Sequence, residues 1–393
     1  MSRRPHAVWL VDSADPSGAA VLAARRAAVL RAELDSTLVA LAAPTSRAPA
    51  GSPLAGLPRL SALAGEAHVA RADVVVTTSV RTLAAAAPRL PSRARLVHFV
   101  HTRPEVELQA ELFHRRIATA SRVVVPLEAD ATAFARRAGL EPHQVRAADD
   151  FADPAPAGVA AQVDDTPADD TPADSPAAGS PAAHSPAGNS PAGDTAERRR
   201  PRRLLAVGRL PAATAVRDLV AALAYASADA GADLADWQLL VAGWGPGLAE
   251  LTEEVERRRL GERVLLLGAR HDVPVLMSRA DYLVRLDDGD ANGLSVLEAL
   301  AAGVPVAAAR TVPAAARHVR HGQNGWLFDL ADPRSLAADL RGLAHPSLAA
   351  TLRAGAAART AGSLTQAAHE ELRALFGEAL AAPPPPAGVR AMR

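Results

Sequence analysis

The chain has no cysteine and no lysine. Disulfides and thiolate chemistry are thereby excluded, and a cytoplasmic location is expected. Every basic residue is arginine, which with the abundant alanine and 31 prolines fits a GC-rich, bacterial coding bias. Aromatic residues make up only 3% of the chain, which argues against a base-stacking surface. Neither sign of charge is in excess, since 43 basic residues balance 43 acidic ones. No net field therefore draws the protein toward nucleic acid or an anionic membrane. No apolar run reaches the roughly 18 residues that would signal a membrane span. The first apolar stretch, AVWLV at 7–11, is too short for a secretory core.

What is present is enough for two domains. The chain has 393 residues, 49% of them apolar, which allows sizeable cores. Between residues 6 and 150, HAVWLV, STLVALA, ADVVVTT, ARLVHFV and SRVVVP read as buried strands. AAVLAARRAAVLRAEL and ADATAFARRAG read as amphipathic helices. Strands alternating with helices predict right-handed crossovers and a parallel sheet covered on both faces.

Residues 151–200 differ in kind. DDTPADDTPA leads into SPAAG, SPAAH, SPAGN and SPAGD, a five-residue repeat that ends in the basic run ERRRPRR. Proline at this density forbids regular helix and supplies nothing for a core, so a disordered linker is expected. From Arg202 the alternation resumes. RLLAVGRL, WQLLVAGWG, RVLLLG, DYLVRL and VPVAAA read as strands, and VRDLVAALAYASADAG, LAELTEEVERRRLG, VPVLMSRA and LSVLEALAAG as helices.

The expected organisation is an α/β chain of two Rossmann-like, doubly wound parallel-sheet domains. Residues 1–150 form the first domain and 201–360 the second, with 151–200 as linker. A C-terminal helix at 361–381 packs back on the first domain, and 382–393 are a disordered tail. Ligands of such sheets lie beyond the carboxyl ends of the strands, so two sheets facing each other make a cleft suited to a two-substrate reaction.

The order of motifs in the second half resembles the retaining GT-B glycosyltransferases of family 4 (glycosyl transferases group 1). The matching pieces are Val207-Gly208-Arg209-Leu210, Gly243-Trp244-Gly245-Pro246, Leu267-Gly268 and Asp272-Val273-Pro274. They are followed by DGDANGLSVLEALAAGVPV at 288–306 and by Gly322-Gln323-Asn324-Gly325. The long motif fits the family's E-x7-E element, with Asp290 in the first acidic place and Glu298 in the second. The order spans about residues 203–335. In the first half, Ser17-Gly18-Ala19 resembles the family's glycine-rich turn and His101 its strand-end histidine.

The resemblance implies transfer of a sugar from a nucleoside diphosphate sugar to an acceptor hydroxyl, with retention of configuration. It implies no metal and no cofactor. The implied partners are a nucleotide sugar and a small-molecule, glycan or lipid acceptor, with no nucleic acid and no membrane span. Glu298 would accept hydrogen bonds from both vicinal hydroxyls of the ribose; an exposed helical glutamate is the bland alternative. Gly293, Leu294 and Ser295 open a helix whose N–H groups and dipole suit a diphosphate, while Asn292 and Gly293 would also cap it. Asp290 either meets donor-sugar hydroxyls, through water if need be, or belongs to a solvated acidic turn. Arg209 would neutralise the leaving diphosphate. Gly18, Gly243 and Gly245 would let backbone approach the donor, and His101 would lie near the reacting sugar.

Three departures from the pattern oppose this reading. Thr214 stands where the family has a second cation, with Arg217 one turn on as a candidate substitute. Asp290 is shorter than the usual glutamate, and Ala314 follows Pro313 where relatives have glutamate. They leave open a catalytically weakened relative that binds a nucleotide sugar or scaffolds a partner enzyme. Asp288-Gly289-Asp290 also imitates the D-x-D metal site of the GT-A fold, but it arrives too late in the chain. The cluster Arg317-His318-Val319-Arg320-His321 lacks metal-ligand spacing and reads as a solvated helix end.

Overall fold

A computed structural model describes residues 3–13, 18–42, 59–60, 67–101, 113, 117, 120–125, 128–148, 201–210, 215–228, 237–270, 272–286, 293–329, 332–358 and 362–383. The linker at 151–200, Ser17, Thr214, Asn292, the 288–290 acidic turn with Asp290, and the tail from 384 lie outside them.

The first half runs β1 (His6–Ser13), α1 (Gly18–Val29), β2 (Asp35–Ala42), β3 (Arg59–Leu60), β4 (Val74–Thr77), α2 (Val80–Ala86), β5 (Arg95–Phe99), β6 (Arg122–Val125), α3 (Glu128–Ala138) and β7 (Val145–Ala147). Its seven strands pair in parallel, in the order β3-β2-β1-β4-β5-β6-β7. The period-2 geometry of a strand splits β1 between two cores. Ala7, Trp9 and Val11 pack with the alanine face of α1. Val8 and Leu10 face the opposite way, with residues of α2 and α3. The sheet is thus covered on both sides, and β4 is buried throughout.

The second half runs β8 (Arg202–Val207), α4 (Val216–Ala228), β9 (Trp237–Ala242), α5 (Gly247–Arg257), β10 (Val264–Gly268), α6 (Val273–Arg279), β11 (Tyr282–Arg285), α7 (Leu294–Ala301), β12 (Val306–Ala309), α8 (Pro313–His318), β13 (Gly325–Phe328), α9 (Pro333–Ala344), α10 (Pro346–Ala358) and α11 (Gly362–Ala381). The strand order is β10-β9-β8-β11-β12-β13, again parallel throughout. Leu204 and Ala206 pack with α4, α5 and α9. Leu205 packs on the other face with α6, α7 and α8. The expected doubly wound class is what forms. The extra elements are short or proline-led. Strands of two and three residues carry no readable alternation, and Pro313, Pro333 and Pro346 each open a helix where proline costs nothing. Asp332 caps α9, its carboxylate accepting from the N–H groups of Arg334 and Ser335 at 2.7 and 3.0 Å.

Helix α11 leaves the second half and joins the core of the first. Ala368, Leu372, Leu375, Phe376 and Ala379 are buried with β1 and α1. The Phe376 ring stacks on Trp9 at 5.5 Å between centroids. At the rim Arg146 pairs with Glu378 at 3.0 Å and Arg373 with Glu33 at 3.2 Å. These partly exposed pairs contribute little beside the buried rings. Among the described residues no helix is long and apolar enough to cross a membrane. Phe376→Ala is expected to destabilise the first half by about 3–5 kcal/mol in chemical denaturation. An unchanged midpoint would remove α11 from that core.

Candidate functional site at the strand-order reversal

In the second sheet β8 and β11 are parallel neighbours, while the strands before and after them lie to opposite sides. The loops leaving their carboxyl ends therefore diverge and open a crevice. Two loops build one wall. The Gly208 N–H donates to Ala242 O at 3.1 Å, Leu210 N–H to Trp244 O at 3.0 Å and Gly247 N–H to Leu210 O at 3.1 Å. A Cβ on Gly243 would overlap the carbonyl oxygen of Gly208, and one on Gly245 that of Leu210. The two glycines therefore have a packing reason: they let the loop after β9 zip onto the loop after β8. The result presents Arg209 exposed at the crevice and leaves Trp244 66% exposed beside it.

The other wall follows β11. Arg285 is buried, 7% exposed, although it ends an otherwise apolar strand. Its Nη1 donates to Val207 O at 3.0 Å. A side chain at Gly208, where φ is 139°, would crowd that guanidinium. Gly208, Arg209, Leu210, Val216, Arg285 and Leu286 line the pocket between the strand ends. Helix α7 then starts from Gly293 in the left-handed region, φ 57°. The first intrahelical bonds are those of the Val296 and Leu297 N–H groups to Gly293 O. The Leu294 and Ser295 N–H groups precede them and belong to the helix's outward-facing donors. Ser295 is 6% exposed, and its Oγ is buried with no hydrogen-bond partner.

Glu298 lies one turn beyond Ser295, on the same side of α7. Its Oε1 accepts a hydrogen bond from Arg25 Nη2 at 2.9 Å. The two side chains are 25% and 11% exposed, so the pair is largely enclosed. Arg25 belongs to α1 in the first half, and the carboxylate thus sits where the halves meet. Its neighbour Arg26 turns into the first core, its guanidinium 3.8 Å from the Phe99 ring centre. Arg26 Nη1 also lies 3.3 Å from His101 Nε2. A guanidinium only donates, so Nε2 accepts and the imidazole proton sits on Nδ1. The His101 ring stacks on Phe99 with centroids 6.3 Å apart. Burial, then the charge of Arg26, then His98 hold His101 well below the usual histidine pKa of 6.5. Gly18 is the first residue of α1, the helix that carries Arg25 and Arg26 toward the cleft.

The remaining expectations resolve locally. Arg217 turns away from the crevice: it lies 4.0 Å from Glu250 and 3.9 Å from Glu254, both on α5. It is not placed to replace the cation expected at 214. Asp272 does not cap α6 with its side chain; Arg270 holds it in a two-point pair at 2.8 and 2.7 Å. Ala314 is buried, its methyl against Gly293. In the 317–321 cluster His318 is buried rather than solvated, while Arg317, Arg320 and His321 are exposed. Asn324 explains the following turn by accepting from Arg320 N–H and donating to His318 O. Among the described residues no three His, Asp or Glu side chains are grouped to hold a metal ion. Arg25, Arg26 and Arg285 escaped the sequence reading. The available signal was a charge inside an apolar strand in one case and twin arginines on an alanine-rich helix in the other.

Two outcomes follow from this geometry. His101 is neutral when folded and has a lowered pKa, so its contribution to stability is complete above about pH 6.5. It is lost as pH falls toward the folded value, because the unfolded chain binds the proton first. His6, also lowered, acts in the same direction, so His101→Gln should flatten the acid limb of a stability–pH curve only in part. An unaltered limb would show that His101 is not held neutral. Gly293→Ala should cost more than the ~1–2 kcal/mol of a left-handed residue alone. Adding Ala314→Gly should recover part of the loss in denaturant titrations. No recovery would mean the two residues do not oppose each other.

Residues 201–345 match the family Glycosyl transferases group 1. One curated relative, N-acetyl-alpha-D-glucosaminyl L-malate synthase of Bacillus anthracis, is 32% identical over 102 residues, 26% of this chain and 26% of that protein. The aligned stretch is thus only about a quarter of that relative's length. The structure of HepE from Anabaena in complex with UDP and glucose superposes with a TM-score of 0.69 at 18% identity, covering 96% of this chain and 100% of that one. Sucrose-phosphate synthase from Thermosynechococcus elongatus gives 0.65 at 18% identity, covering 96% and 100%. At such identities the likeness is one of fold, and it extends over nearly the whole chain. Residues 201–345 thus carry the match to Glycosyl transferases group 1, and the chain as a whole has the two-domain GT-B fold.

Proposed function

We propose that this protein transfers a sugar from a nucleoside diphosphate sugar to an acceptor hydroxyl, with retention of configuration and without a metal. One observation carries the reading most. An exposed arginine follows β8 at the reversal, and the helix after β11 carries a buried unpartnered hydroxyl and a carboxylate hydrogen-bonded to the other half. A nucleoside diphosphate needs such a set: donors and a cation for the phosphates, and an acceptor for the ribose diol. That HepE was crystallised with UDP and glucose supports the same class of donor.

In this reading Glu298 accepts from both ribose hydroxyls. The amino end of α7, with Gly293, Leu294 and Ser295, receives the diphosphate, and Ser295 Oγ gains the partner it lacks. Arg209 draws off the negative charge that grows on the departing diphosphate. Asp290 meets hydroxyls of the transferred sugar, and Gly18 and His101 border it from the first half. A neutral His101 suits a hydrogen bond to a sugar hydroxyl without adding positive charge beside an oxocarbenium-like centre. The acceptor enters on the face the diphosphate leaves, and the leaving phosphate takes its proton. Closing the halves would exclude water from the donor.

Uridine, guanosine and adenosine diphosphates and their sugars, screened by thermal shift, should include one base that stabilises the protein. The expected gain is about 2.7 kcal/mol at a hundredfold excess over Kd. Glu298→Ala should lose most of that shift and the transfer or donor hydrolysis with it. NMR of the product should show a retained anomer, and EDTA should leave the rate unchanged. If wild type and Glu298→Ala respond alike to every donor, the assignment fails.

A further inference from the structure

We propose that Arg25 is a positioning residue that orients the Glu298 carboxylate from across the cleft, so that affinity for the nucleoside diphosphate depends on the first half through this contact. The inference rests on the reading of Glu298 as the ribose acceptor. Both partners stand on fixed ground. Helix α1 is set on the first sheet by Ala20, Ala23, Ala24 and Ala27, and the next residue, Arg26, is pinned over Phe99. On the other side Val296, Ala299 and Leu300 root α7 in the second core. Adjacent residues on a helix point about 100° apart. With Arg26 committed inward, Arg25 is therefore directed at the opposite half.

The 2.9 Å bond reaches Oε1, one of the two oxygens of a group that has about four acceptor sites. Arg25 thus selects one rotamer of Glu298 and one facing of α1 toward α7. A donor that needs that carboxylate in place benefits from both. By linkage, donor binding in turn favours the arrangement in which α1 and α7 meet. The nucleotide itself need not touch the first half for the first half to control its affinity.

The test is a double-mutant cycle on affinity for uridine diphosphate, or for whichever of the three nucleoside diphosphates gives the largest thermal shift. Calorimetry would be run on wild type, Arg25→Ala, Glu298→Gln and the double variant. Arg25→Ala is expected to weaken binding on the order of tenfold, the effect of losing one hydrogen bond to a charged group. Arg25→Lys should recover part of it, and on the Glu298→Gln background Arg25→Ala should have almost no further effect. Full additivity, or an Arg25→Ala variant that binds like wild type while Glu298→Gln does not, would overturn the proposal. A Glu298→Gln variant that binds like wild type would instead sink the ribose assignment on which it stands. Without any nucleotide, hydrogen exchange in α7 should speed up several-fold in Arg25→Ala and return toward wild type when Arg25→Glu is combined with Glu298→Arg. The exchanged pair should still bind nucleotide poorly. Unchanged exchange in Arg25→Ala also overturns the proposal, because Arg25 would then hold nothing.

Discussion

A parallel sheet whose strand order reverses at its centre has to leave a gap between the loops on either side of the reversal. In the second half that gap falls between β8 and β11, and everything chemically notable there follows from it. Strand β8 is buried over Leu204–Ala206 and is paired there with both β9 and β11, and Gly208 and Arg209 are the first residues past its end. The loop after β9 closes against them through its backbone, and at 243 and 245 only glycine fits, because a Cβ there would collide with a carbonyl oxygen. Across the gap α7 can begin only with a left-handed residue lying against Ala314. Glycine is required at these points by steric contact within the protein, whatever binds there.

The same reversal occurs in the first sheet between β1 and β4, and α1 leaves β1 beside it. Two helices that follow the two reversals, α1 and α7, are linked by the Arg25–Glu298 pair. A second tie runs the other way: α11 departs from the second half and completes the apolar cover of the first sheet. The first is a largely enclosed ion pair that demands exact partners. The second is a broad apolar contact that tolerates adjustment. Together they make the relation between the halves both strong and particular in one place.

Most of the architecture was readable because buried parallel strands are short unbroken apolar runs, and AVWLV, DVVVT and LLAV are nothing else. The turns of the second half were readable because each carries a residue its geometry needs, such as the glycines at 208, 243, 245 and 293. What escaped was of two kinds. Helices α9 and α10 lie within alanine-rich sequence, where periodicity is faint and the real signal is the Asp332-Pro333 start. The Arg25–Glu298 contact joins residues 273 apart, and no local pattern announces a pair at that separation. Arg217 illustrates the converse error. It stands one helical turn beyond position 214, but on α4 its guanidinium lies 4.0 Å from Glu250 and 3.9 Å from Glu254.

The absence of lysine gives these contacts a common character. Every fixed cation at the site is a guanidinium, which remains protonated throughout the physiological range and offers several donors in one plane. Arg285 uses one on a strand-end carbonyl, Arg26 spreads over a phenyl ring while reaching an imidazole, and Arg25 grips a carboxylate. An ammonium in any of these enclosed places could shed its proton when desolvated; a guanidinium does not. The positive charges around the cleft therefore do not vary with pH near neutrality, and His101 is kept neutral by burial first and by the charge of Arg26 second. The electrostatics that a donor diphosphate meets are accordingly set by how the two halves are placed, since titration near neutral pH has little left to change.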